Sequence, residues 1–244
     1  RRASWEDSML HVQNMVLDNC LSTIKHETIY YPNKIKQIIG RLNTQNLSEK
    51  EEREAVETIT ELIEYYKGIF TILSSCAARQ LEEVTFRRTT IPVQELFDAA
   101  GKYFRKVMKN RMEKIELIME PMEAKVIGDV NQLRFLFENL IDEALAVHEE
   151  GVIRLQARKD NEYVRFLFTD TRREKSVTEL NQLFYPNLAR MTSGEKGELR
   201  GTEYLICKQI IRDHDEFAGR RGCRINAEPA EGGGFTVYFT IPRR

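Results

Sequence analysis

The sequence lacks most of what would point to metal, membrane or nucleic acid. Its 244 residues include four cysteines, Cys20, Cys76, Cys207 and Cys223, and their separations match no metal-ligand spacing. They read as small core residues of a reducing compartment, so zinc is not expected. The four histidines are equally scattered and form no Ser/His/Asp arrangement. No apolar run approaches the roughly 20 residues that span a bilayer, and no signal peptide is present. Acidic and basic residues, 38 and 37, nearly cancel. This balance argues against nucleic-acid or membrane-surface binding driven by bulk charge. The sequence opens on Arg1 and not on Met, which predicts a piece of something longer.

What is present starts with heptads. Over residues 8–45 the positions Leu10, Asn14, Leu17, Leu21, Ile24, Thr28, Tyr31, Ile35, Ile38 and Leu42 alternate spacings of four and three. That is the seam of one long coiled-coil-like helix, with Asn14 as a register-fixing polar member. Pro32 lies inside it and removes one helical hydrogen bond, which predicts a kink. After residues 40–46, Ser48 and Glu51 read as a capping box. A second helix then runs to about residue 80 on the seam Val56, Ile59, Ile63, Tyr66, Phe70, Leu73 and Ala77. Two such helices with a short connection predict an antiparallel hairpin. A lone hairpin leaves one side of its seam open, and two hairpins close it as a four-helix bundle, so a homodimer through residues 8–83 is expected. His26 falls roughly opposite the seam, which exposes it beside Glu27.

From residue 84 the pattern changes. Residues 83–90 alternate and read as a strand, and Pro92 opens a helix to about 112. Short strands follow at 114–119 and 124–128, then a helix over 129–145. Residues 151–157 and 162–169 form a hairpin, and 224–228 with 235–241 form another around Gly232, Gly233 and Gly234. Between the hairpins lie a loop of roughly 30 residues, with an amphipathic piece at 177–184 and a Gly/Lys-rich tail near 193–201, and a helix at 202–214. The fold class is α+β: a long antiparallel helical hairpin, dimerising as a four-helix bundle (1–83), then an α/β sandwich (84–244) with one mixed sheet and its helices on one face.

The helix over 129–145 organises the second part. Leu133, Leu136, Phe137, Leu140, Ile141 and Ala144 make one broad apolar face. Asn139 and Glu143, four apart, point the same way as a candidate ligand wall. Four stretches carry a family resemblance: Lys25-His26-Glu27 with Pro32; Asp129 through Asn139-Leu140-Ile141 to Glu143-Ala144; Phe168-Thr169-Asp170-Thr171; and Leu183-Phe184-Tyr185-Pro186, Gly201 and Gly234-Phe235-Thr236-Val237. In this order they resemble the dimerisation, phosphotransfer and catalytic core of bacterial sensor histidine kinases.

The resemblance implies ATP and Mg²⁺ as cofactors. Asn139 and Glu143 would lie at the phosphates and metal, Asp170 would read adenine, and Gly201 would allow close approach to the nucleotide. It implies autophosphorylation on His26 with Glu27 orienting the ring or taking its proton. It also implies a homodimer, a response-regulator receiver domain as partner and a cytoplasmic location. No nucleic acid is expected as partner and no membrane contact by this segment, any tether lying upstream of Arg1.

The departures fall on the chemistry. Glu143 stands where the family has a second asparagine and Glu203 where it has a glycine. Residues 170–174, Asp-Thr-Arg-Arg-Glu, contain no glycine at all. Two added carboxylates oppose a triphosphate, while Arg172 or Arg173 either grips phosphate or pairs with Glu143 and fills the site. The second arrangement is the expectation, with weak or absent nucleotide affinity. His26 and Pro32 are six apart where the family has five, so either His26 or Glu27 takes the acceptor position. Two readings follow, a working divergent histidine kinase and a pseudokinase serving as a dimeric relay or docking scaffold. The related gyrase and heat-shock ATPases expect Glu at position 139 and Asn at 143, the reverse of this chain.

Overall fold

The structure, a computed structural model, describes the backbone of residues 2–77, 86–120, 122–187, 192–193 and 199–244, with side chains excepted at 2–3, 21–31, 64–77, 192–193 and 199–200. It divides into two compact units, one of residues 1–13, 82–185 and 203–244 and one of residues 14–81 and 186–202. The first of these units groups the start of the first helix with the sandwich.

Two long helices lead the chain. α1 (Arg2–Thr44) runs through Pro32 without interruption, and α2 (Glu49–Ala77) opens with Glu49, Glu51 and Glu52 in its first turn, where carboxylates complement the helix dipole. Ser48 Oγ accepts from Glu51 N, and the Glu51 carboxylate accepts from Ser48 N, the expected capping box. Along α1, Asn14 and Leu17 are buried as the seam predicts, but Leu10 is 45% exposed. The covered positions at this end are instead Ser8, Val12, Val16 and Cys20, a row spaced by four. On α2 the seam also shifts. Leu62 is buried, while Val56 and Ile63 are 56% and 47% exposed. Seam members Leu21 to Tyr31 and Tyr66 to Ala77 fall among side chains outside the description.

In the other unit the elements are β1 (Thr89–Pro92), α3 (Val93–Met108), β2 (Ile115–Glu120), β3 (Lys125–Gly128), α4 (Val130–Leu145), β4 (Gly151–Asp160), β5 (Tyr163–Asp170) and α5 (Val177–Gln182). The short ribbon β6 (Thr192–Ser193) and β7 (Leu199–Arg200) follows, then α6 (Glu203–Phe217), β8 (Ile225–Pro229) and β9 (Phe235–Pro242). The main sheet has the order β2-β4-β5-β9-β8. Its β2–β4 pair is parallel and the others are antiparallel, so it is the mixed sheet expected. Two details differ. β1 and β3 pair separately as their own antiparallel ribbon. The strand expected over 83–90 begins at Thr89, because Pro92 and the pairing with β3 fix its register; residues 83–85 lie outside the description. Proline, lacking an N–H, ends β1 and serves as the N-cap position of α3.

The core is aromatic. Phe97 of α3, Phe137 of α4, Phe166 of β5 and Phe239 of β9 are all 1% exposed or less. Phe166 and Phe239 are register partners and stack at 5.0 Å, with Phe137 packed on both. Strand periodicity puts Val164, Phe166, Phe168 and Asp170 on this same inward face. A carboxylate thus occupies the last core-facing position of β5.

α4 is anchored at its start. Asp129 Oδ1 accepts from Asn131 N and Gln132 N, and its Oδ2 accepts from Arg87 N, satisfying helix-end donors. Asp129 N in turn donates to Nε2 of the fully buried His214, whose Nδ1 donates to Ile210 O. This arrangement holds the imidazole neutral, and burial depresses its pKa from 6.5 to about 4. The unfolded chain therefore takes up this proton first as pH falls. The contribution of neutral His214 is complete above 6.5 and is lost between 6.5 and about 4. Denaturant titrations across that window should show wild type losing on the order of 3 kcal/mol more than His214→Gln. Equal losses would remove His214 from the account.

Candidate nucleotide-type site

Asp170 is the last residue of β5, the central strand, paired with Ile153 on one side and Phe235 on the other, and the chain turns at once so that Arg172 and Arg173 fold back onto it. Arg172 Nε donates to Asp170 Oδ1 at 2.8 Å and Nη2 donates to Oδ2 at 2.9 Å. Both side chains are 1% exposed. Arg172 N also donates to Oδ1, and Arg173 Nε donates to Oδ2, both at 3.1 Å. The Arg172 guanidinium also donates from Nη1 to Glu149 O and from Nη2 to Ala144 O, the carbonyl near the end of α4. A planar five-donor group is thereby matched to four acceptor contacts fixed by three segments of chain.

Two glycines make room for this turn. A Cβ on Gly234 (φ +80°) would lie 2.0 Å from Asp170 O, and a Cβ on Gly151 (φ +139°) would lie 2.8 Å from Arg172 Cγ. The first lets the 232–234 turn pass the backbone of Asp170. The second lets the aliphatic stem of Arg172 cross the start of β4.

The other expected site residues divide. Asn139 is buried, and its Nδ2 donates to Phe135 O one turn back at 2.8 Å. Glu143 stands 3.9 Å from Arg173 Nη1. The expected pairing of an arginine with Glu143 is made by Arg173, and a closer pairing with Asp170 is added to it. Both arginines pair first with Asp170, and only Arg173 reaches Glu143, at the longer distance. The reason is position, since Arg172 and Arg173 follow Asp170 directly in a tight turn. Burial, then Glu203 and Glu143, raise the Cys207 thiol, so both added carboxylates lie near that residue of α6. Burial first and Glu143 next raise the Tyr204 phenol. Gly201 has φ +79° and is exposed. His26 and Glu27 lie within α1, but their side chains fall outside the description, as do Gly194 and Gly197. Sequence reasoning missed the Ala144 and Glu149 carbonyls, Gly151 and Tyr204. The one available signal was the doubled arginine after a core-facing aspartate.

Comparison with known proteins gives the class. Residues 128–244 match the model of the family described as histidine kinase-, DNA gyrase B- and HSP90-like ATPase. That segment is a domain of this family, with the fold of histidine kinase catalytic domains. The catalytic domain of histidine kinase ThkA in a nucleotide-free form is 20% identical with TM-score 0.51, covering 64% of this chain and 97% of that one. ThkA in complex with response regulator TrrA is 19% identical with TM-score 0.54, covering 98% of this chain and 65% of that one. Full-length ShkA in complex with AMPPNP is 15% identical with TM-score 0.51, covering 91% and 45%. These likenesses establish the fold. No curated protein sequence matches the chain.

An adenine amino group needs a free carboxylate oxygen at Asp170, and here both oxygens already accept from guanidinium groups. Asn139 is turned into its own helix, its Nδ2 spent on Phe135 O. The side chains as arranged do not fit an adenosine nucleotide with Mg²⁺. Removing one partner of a buried ion pair leaves an uncompensated charge. Arg172→Ala should therefore cost about 3 kcal/mol by urea denaturation, with Arg173 limiting the loss. Asp170→Asn combined with Arg172→Met should recover much of it. A neutral Arg172→Ala would contradict the buried geometry.

Proposed function

We propose that this chain is a histidine-kinase-type core of two-component signalling that works as a dimeric docking or relay scaffold, with weak or absent ATP binding. The observation that carries the reading is the double claim on Asp170 by Arg172 and Arg173. The pocket's adenine-reading group is satisfied from within the chain. The acidic surroundings point the same way, because Glu143 and Glu203 repel a polyanion that Mg²⁺ bound to Asn139 and Glu143 would otherwise have to neutralise.

The stem supports the dimer. Val56, Ile63 and Ile39 are exposed apolar residues on long helices, and exposed apolar rows on such helices are what a second copy covers as a four-helix bundle. Residues 1–83 form the dimerisation and phosphotransfer part of this reading and 84–244 the catalytic-type part, in the cytoplasm. Beyond Pro32, an open groove of about 420 Å³ is lined by Pro32, Ile35, Lys36 and Ile39, an apolar surface suited to a protein partner. A response-regulator receiver domain is the partner proposed, in keeping with the solved ThkA–TrrA complex. His26, or Glu27 as a fixed negative charge, is the group presented to it.

Two measurements test this. Labelled ATP with Mg²⁺ should leave no phosphate on the chain, and a fluorescent ATP analogue should show no binding at micromolar concentration. Phosphate on the chain that disappears in His26→Ala, with micromolar Mg²⁺-dependent binding, would assign a working kinase instead. Light scattering should give a dimer, and a monomer at micromolar concentration would remove the stem argument.

A further inference from the structure

Total charge nearly cancels in this chain, but it is not evenly spread. β4 ends, β5 begins, β8 begins and β9 ends at one end of the main sheet, the end away from Asp170. The segments gathered there, residues 157–165, 219–225 and 240–244, contain eight basic residues against two carboxylates, Asp160 and Glu162. Backbone bonds fix the gathering. Tyr163 of β5 faces Pro242 of β9. Arg243 N donates to Glu162 O at 2.8 Å, and Arg244 N donates to Lys125 O at 3.0 Å. Arg224 N donates to Thr240 Oγ1 at 3.0 Å.

The loop over 218–224 is held in one shape. The Asp215 carboxylate accepts from Gly222 N and Cys223 N, and the Tyr163 phenol donates to Arg221 O. A Cβ on Gly222 (φ +122°) would lie 2.5 Å from that phenol oxygen. A Cβ on Gly219 (φ +89°) would lie 2.5 Å from Cζ of Arg88, whose guanidinium rests on the glycine.

Within the chain this basic end is left unbalanced. Arg165 pairs with Asp160, Arg220 with Glu162 and Arg221 with Asp215, all within reach of solvent, where an ion pair contributes little. Arg158, Lys159, Arg224 and Arg244 are exposed and have no acidic partner among the described residues. Arg158 also stands directly across from Arg165 on the next strand, and like charges so placed cost stability. Phe217, at the end of α6 and packed on Phe86 at 5.7 Å, is 50% exposed.

We propose that this end of the sandwich is a docking surface for an anionic membrane, recognising the phosphates of acidic phospholipids. Guanidinium groups meet phosphate oxygens with paired donors. The charges sit on a hairpin turn, on a loop and on the chain following β9, all beyond the strand ends, so one plane can meet them together. Phe217 supplies an apolar ring to enter the headgroup boundary beside them. A nucleic-acid strand is held by a groove with successive stacking rings, and Phe217 is the one exposed aromatic among the described residues at this end. A few basic groups and one ring give weak, reversible attachment. The surface is independent of whether the chain binds ATP.

Sedimentation of the whole chain with sucrose-loaded vesicles tests this. In about 0.1 M salt it should bind vesicles of phosphatidylcholine with about one-third phosphatidylserine and pass over vesicles of phosphatidylcholine alone, and about 0.5 M salt should release it. Arg158→Gln, Arg224→Gln and Arg244→Gln together should weaken binding about a hundredfold, roughly fivefold per charge. The same loss of charge at Arg53, Lys102 and Lys109, exposed on α2 and α3, should change it by less than about twofold. Phe217→Ser should weaken binding several-fold and leave its salt dependence unchanged. Equal binding to both kinds of vesicle, or equal losses in the two triple variants, would overturn the proposal. Tighter retention of a thymidine oligonucleotide at the same salt would give the surface to nucleic acid instead, and release of bound chain by millimolar inorganic phosphate would make it a site for a free anion. A circular-dichroism melt should show Arg158→Gln at least as stable as wild type, and a lower melting temperature would remove the like-charge argument.

Discussion

A single buried ion pair, Asp170 with Arg172, ties the end of the central strand to the end of α4 and the start of β4. Taking both charges out of water is expensive, and the attraction between them repays the cost only when the remaining hydrogen-bonding capacity is also used. Here it is used: the guanidinium meets both carboxylate oxygens and two main-chain carbonyls, one at the end of α4 and one before β4. The pair therefore joins three segments of the chain. Gly151 and Gly234, each at positive φ, provide the space this junction needs.

The charges around the pair decide what else the cleft can accept. Glu143 pairs with Arg173, and Glu203 acts with Glu143 on Cys207 of α6. Arg172 spends its charge on Asp170, and Arg173 divides its own between Asp170 and, at the longer distance, Glu143. In a partly buried site such interactions are screened far less than on the surface. The fold of a histidine-kinase-type ATPase domain is kept, while Asp170 and Asn139 are engaged by partners within the chain. Fold and function separate in this way because the site is a small set of side chains carried on a larger frame.

Much of that frame was legible beforehand. Alternation identified β4, β5, β8 and β9, the 3.6-residue period identified α3, α4 and α6, and the Ser48–Glu51 spacing identified a cap. These are local signals, and they survive folding because the core rewards the same pattern. Where a tertiary choice intervened, the reading slipped. The covered faces of α1 and α2 rotated away from Leu10, Val56 and Ile63, since a heptad seam does not say which neighbour, within the chain or outside it, covers each turn. β1 started late because its partner is β3. In the site, the loss of glycines after Asp170 was visible, and so was the presence of two arginines. Their closer pairing with Asp170 than with Glu143 was not, because it depends on a turn geometry and on two carbonyls that carry no sequence signature.

The same pair offers the most direct test. A guanidinium Nε–H buried against a carboxylate exchanges slowly with water and gives its own nitrogen-15 resonance. The Arg172 Nε–H signal should be present at neutral pH, vanish in Asp170→Asn, and stay unmoved when saturating ATP and Mg²⁺ are added. A signal lost to fast exchange in wild type, or one displaced by nucleotide, would contradict a pocket closed by its own arginines.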